Sequence, residues 1–161
     1  MIRPSQLAKG SEDGEQAALF CWAAAVQNHG WNAACLWADN KILDLCSHSD
    51  GGFEAIKWMH AIPNGGSRGD TSKARAIRGA NLKATGVKAG VSDIFWPFPY
   101  NGMFGLYIEM KKAFGGKVSP EQKQFGKFVQ NQGYGFAVCH GWRNAANTIL
   151  TYIEHDYRFE V

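Results

Sequence analysis

The sequence predicts an α/β fold: one domain in which helices flank a small mixed β-sheet. Three observations carry this expectation. The chain has 161 residues, 45% hydrophobic and 13% aromatic, which is the size of one domain with a real core. Helix-like and strand-like stretches alternate in the order helix, strand, helix, two strands, helix, strand, helix, with no internal repeat. Nineteen glycines punctuate those stretches with turns.

Taken in order, Ser11 is placed to cap a helix running to about His29, with acids in its first turn where the macrodipole favours them. Glu12, Glu15, Leu19, Ala23 and Val26 fall at helical spacing, so both glutamates line up with the apolar stripe. On composition alone, exposed acids that complement the dipole account for them; their alignment with the buried face keeps open a role facing a site. Residues 31–53 mix apolar positions with Asp39, Asn40, Asp44 and a polar run, and are expected to form an insertion or irregular excursion. Ala55 to Ile62 has strand-like content ending at Pro63. Ser72 is placed to cap a helix from Lys73 to about Thr85. Val91 to Lys111 reads as two strands joined by a short turn. Ser119-Pro120-Glu121-Gln122 is a helix start, with Ser as cap, Pro first and Gln three after the cap. That helix runs to Gly133, a strand follows from Tyr134 to Cys139, and a last helix spans Trp142 to Glu154.

Net charge is only +3, so affinity for nucleic acid has to come from clustering. A cluster exists: Arg68, Lys73, Arg75, Arg78, Lys83 and Lys88 face a single acid, Asp70. A solvated helix face explains it, and so does a surface that contacts phosphates without reading bases. No apolar run approaches a membrane span, and the N-terminal residues lack a signal-peptide core. The four cysteines show no C-x-x-C spacing, which fits reduced, buried thiols and a cytoplasmic protein. The irregular spacing of Cys35, Cys46, His48 and His60 argues against a zinc site, and no metal-histidine motif is present.

The chemistry concentrates on Asp93, Glu109 and Lys111. Residues two apart on a strand share a face, so Glu109 and Lys111 point together and Met110 points away. Their strand is apolar, and an acid and an amine there face desolvation unless something satisfies them. Two carboxylates beside a lysine do so with a hard divalent cation, Mg²⁺ or Mn²⁺. Such a cation serves phosphodiester hydrolysis: it activates water, neutralises the phosphate and stabilises the leaving oxygen. Asp93 and Glu109 are the expected ligands, with the Met110 carbonyl, and Glu12 or Glu15 reaching in from the first helix. Lys111 would orient or deprotonate water, or hold the phosphate. Gln122 has two readings, a capping role and a role facing the metal-bound water, that are hard to combine in one rotamer. D…E-x-K alone is weak; the separate Asp93 strand, the acid-bearing helix and the upstream basic segment strengthen it.

The runs HAIPNGGSR, LKATGVKAGVSD, YIEMK, SPEQ and GYGFAVCHGW, in that order, resemble the VRR-NUC (virus-type replication-repair nuclease) domain of the PD-(D/E)xK superfamily. The resemblance implies a restriction-endonuclease-like fold and a metal-dependent DNA endonuclease. Carried over, Asp93, Glu109 and Lys111 match D…E-x-K and Gln122 matches the glutamine of the following helix. Ser92 departs from the proline that the superfamily pattern places before the aspartate. The resemblance also implies a phage or bacterial setting, homodimers and branched DNA such as four-way junctions. The rival reading is a DNA-binding accessory module that keeps the fold without the activity.

Overall fold

The computed structural model describes residues 2–63 and 71–161. Six helices and four strands are found among them: α1 (Pro4–Leu7), α2 (Glu12–His29), α3 (Trp31–Ala38), β1 (His60–Ala61), α4 (Ser72–Ala84), β2 (Ile94–Trp96), β3 (Leu106–Lys111), α5 (Pro120–Asn131), β4 (Gly135–His140) and α6 (Trp142–Tyr152). The strands form one mixed sheet in the order β1-β2-β3-β4. The first two pairings are antiparallel and β3–β4 is parallel, with α5 as the crossover.

On β3, Leu106, Ile108 and Met110 point into a core that α2 and α6 cover. Trp22, Trp96, Leu19 and Ile149 fill that core and are fully buried. Tyr107, Glu109 and Lys111 point to the other face, where α5 packs and Phe125 meets the Tyr107 ring edge-on at 5.3 Å. Gly126 is what lets α5 come this close, since a Cβ there would sit 2.4 Å from the Phe136 ring. The mixed sheet and its flanking helices are as the sequence predicts.

Four local expectations are corrected. Residues 31–38 are not irregular: they form α3, whose Ala33, Ala34, Cys35 and Ala38 are fully buried. The segment lacks a local cap, because its N-cap is Gly30. The cap comes from Asp50, whose Oδ2 and Oδ1 accept from the Asn32 and Ala33 amides at 3.1 Å each. Residues 54–58 form a 3₁₀ turn, and only His60 and Ala61 pair as a strand. The cap of α4 is Thr71, one residue earlier than expected, with its hydroxyl accepting from the Ala74 amide at 3.2 Å. Residues 97–105 between β2 and β3 form a loop pinned by a Tyr100–Met103 bridge, not a short turn.

Candidate active site

β3 brings Glu109 and Lys111 to one end of the sheet, and Asp93 stands immediately before β2. The Asp93 Oδ2 accepts from the Met110 amide at 2.8 Å, so the aspartate is tied across to the strand that carries Glu109. Glu109 is 1% exposed. Its Oε1 accepts from Lys111 Nζ at 2.7 Å and from the Gln122 side-chain amide. Its Oε2 is buried with no hydrogen-bond partner among the described residues. Burial pushes the Glu109 carboxyl up to about 7; Lys111 pulls against this, and the neighbouring Asp93 adds to the rise. Burial also acts on the Lys111 ammonium, but the Glu109 bond and the carboxylates of Glu109, Glu12 and Asp93 outweigh it and raise its pKa.

Gln122 takes up the capping role and also reaches the site, where it meets the Glu109 carboxylate. The Ser119 amide donates to its Oε1 at 2.8 Å in the capping box, and its Nε2 turns to Glu109. An amide carries an acceptor and a donor, so one rotamer serves the helix end and the carboxylate together.

The two first-helix glutamates separate. Glu12 is half exposed and lies 3.6 Å from Lys111 Nζ. Glu15 is buried and its Oε2 accepts from the Trp142 amide at 2.9 Å. It therefore caps α6 from a distance; the local N-cap, Gly141, has no side chain to do so. Among the pair, Glu12 is the one that faces the lysine. Glu15→Ala is expected to lower stability by about 1–3 kcal/mol, since it strips a charged acceptor from a buried helix start. Urea unfolding checks this, and an unchanged midpoint would leave the cap without energetic weight.

The Met110 side chain is in the core, as the alternation predicts. Lys83 and Lys88 are exposed and line a cavity of about 310 Å³ whose walls also include Asp93 and Gln122. Arg68 and the side chains of Lys73, Arg75 and Arg78 lie outside the described residues. The cavity itself carries no sequence signal, because its walls come from α4, residues 87–91 and α5 together. Ser92 is fully buried and its hydroxyl has no partner among the described residues.

Among the described residues, no three His, Cys, Asp or Glu side chains converge as a ready-made metal cage. Two carboxylates do converge, one of them with an oxygen that no donor reaches. That donor set fits a hard divalent cation, which binds through one or two carboxylates and keeps its waters.

The mixed sheet thus carries a buried acid–lysine pair on one face, with a second acid beside it. The VRR-NUC domain family model matches residues 60–143, just over half of the chain, and the chain belongs to that family. The match contains Asp93, Glu109, Lys111 and Gln122. A solved structure described as a VRR_NUC domain protein is similar with a TM-score of 0.57 and 21% identity, over 94% of this chain and 97% of that one. At that identity the likeness is one of fold. The comparison with curated proteins finds no significant match. Among the described residues no helix is long and apolar enough to cross a membrane.

Proposed function

We propose that this nuclease-family domain is a metal-dependent DNA endonuclease that hydrolyses phosphodiester bonds with Mg²⁺ or Mn²⁺. The observation that carries the reading is the approach of two carboxylates: Glu109 Oε2, which no amide or ammonium donor reaches, lies beside Asp93, and Oε1 is already held by Lys111 and Gln122. Asp93, Glu109 and the Met110 carbonyl would hold the cation, with Glu12 within reach of a ligand water. A divalent ion bound there supplies an activated water and neutralises the phosphate. In hydrolysis the water oxygen would bond to phosphorus as the bond from phosphorus to one flanking sugar oxygen breaks, and the proton the water loses balances the one the leaving oxygen takes up. Lys111, kept cationic by the carboxylates around it, stabilises the charge that builds on the phosphate. Gln122 fixes the Glu109 rotamer, which would leave Oε2 to face the cation.

The resemblance to the PD-(D/E)xK nucleases extends this proposal to branched substrates such as four-way junctions, a homodimeric enzyme, and DNA repair or recombination in the cytoplasm of a bacterial host, phage-encoded or not. The test is labelled duplex and junction DNA incubated with Mn²⁺, beside an Asp93→Ala protein. Cleavage by the parent and a fall of at least about 10²-fold in the variant are expected. Equal cutting by both proteins would mean a contaminant. Firm binding without any cutting would favour the accessory-module reading.

Lys83 and Lys88 stand where backbone phosphates would pass on the way to Asp93. Changing either to alanine should weaken binding to all sequences alike and flatten the slope of log affinity against log salt by about 1 per lysine. A slope that does not move would return the pair to an ordinary solvated surface.

A further inference from the structure

The cavity beside the site has a composition that phosphate binding alone does not explain. Leu82, Val87 and Val91 give it aliphatic walls, Lys83 and Lys88 bring positive charge to it, and Asp93 and Gln122 are part of its lining. Its volume of about 310 Å³ falls at the lower limit of small-molecule pockets, the range of one nucleoside-sized group. A phosphate needs no apolar wall, and a paired, stacked base reaches one only at the cost of unpairing and unstacking. An unpaired base reaches one most easily, because unstacking costs it least.

We infer that this cavity receives a single unstacked deoxynucleotide of the DNA strand, next to the phosphate held at Asp93. The aliphatic walls cover the base and the two lysines hold the phosphates on either side of it. Such a pocket selects DNA with a loose nucleotide at the point of cleavage, which branches, gaps and mismatches supply and continuous duplex does not. The inference rests on the nuclease reading for the position of the scissile phosphate, and it adds how the substrate is chosen.

Two glycines shape the cavity and one offers a clean test. At Gly90, φ is +87° and a Cβ would lie 2.6 Å from the Glu121 backbone, so this residue lets the 87–91 segment lie against α5. At Gly79, in α4, a Cβ would meet nothing within 4 Å. A larger side chain there grows into open space and favours the helix. Because Gly79 lines the cavity, Gly79→Leu is expected to narrow it, and Gly79→Ala is the control that changes the backbone preference while filling little.

The experiment places 2-aminopurine, whose fluorescence rises on unstacking, at successive positions through a four-way junction and a matched duplex. The full chain is added in EDTA, so that no cutting occurs. The expected result is a several-fold rise in emission at one or two positions of the junction and none in the duplex. Gly79→Ala should keep the rise, and Gly79→Leu should lose most of it while binding, followed by anisotropy, changes less than threefold. Emission that stays flat at every position, or a rise that Gly79→Leu retains, overturns the inference. Lys111→Ala separates the two readings: it removes a catalytic group and leaves the cavity, so it should keep the fluorescence signal. A parent protein that shows the signal but never cuts would overturn the nuclease reading and leave the pocket standing.

Discussion

Lys111→Ala is expected to lower DNA cleavage by about 10²–10³-fold, the range seen when one preorganised electrostatic group is removed from a transition state. Binding to DNA should change by less than threefold, because Lys111 is only 6% exposed and contributes little to the outer field that attracts the phosphates. The loss has a second component. Lys111 is a hydrogen-bond donor to Glu109 and pulls its pKa down against burial. Without the ammonium the carboxyl climbs above about 7 and is mostly protonated at neutral pH. A protonated carboxyl is a poor ligand, so the variant should also need more Mn²⁺ for half-maximal activity. Raising the pH from 7 to 8.5 should recover part of the metal affinity in the variant and none of the missing positive charge. Cleavage restored fully by pH would assign Lys111 to keeping Glu109 ionised and remove it from the transition state. Loss of DNA binding along with cleavage would make it a capture residue.

The legible part of this molecule was the part whose signals are local. Ser119, Pro120 and Gln122 lie within four residues, and the helix they announce starts where they put it. The same holds for Ser11, whose hydroxyl accepts from the Gly14 amide at 3.1 Å. Period-two alternation put Glu109 and Lys111 on one face of β3, and the structure keeps them there. What could not be read depends on partners distant in the chain. α3 was missed because its cap is Asp50, far down a stretch that looks irregular, and because eight residues as apolar as WNAACLWA carry no amphipathic stripe. Glu12 and Glu15 could not be told apart, since the difference is that Trp142 offers an amide to one of them. The Gln122–Glu109 bond is hidden for a similar reason: the donor finds a carboxylate on another element. Strand content in AIKWMHAI failed to make a strand because only two of its residues find a partner on β2.

The pH dependence of stability gives the other large effect, and its sign follows from the same buried carboxyl. Glu109 titrates near its ordinary value of 4.5 when unfolded and at about 7 when folded. Between those two pH values the folded protein holds more protons than the unfolded chain, so stability falls as pH rises. Below about 4.5 this contribution is fully present, and above about 7 it has been lost. For a shift of this size the loss is on the order of 3 kcal/mol in metal-free protein. Lys111 has no part in this window, because its folded pKa is raised above 10.5 and its contribution persists until far more alkaline pH. Glu109→Gln removes the titrating group, and the slope between pH 5 and 7.5 should largely disappear from urea-unfolding midpoints measured in EDTA. Mg²⁺ should have the opposite effect on the parent protein, holding the ionised carboxylate and stabilising the fold most at high pH, where no proton competes. It should leave Glu109→Gln nearly unchanged. A parent protein whose stability is flat across this window would show Glu109 ionised throughout, held by Lys111 firmly enough to cancel the cost of burial. In that case metal affinity should also be independent of pH above 5, so the two measurements must agree.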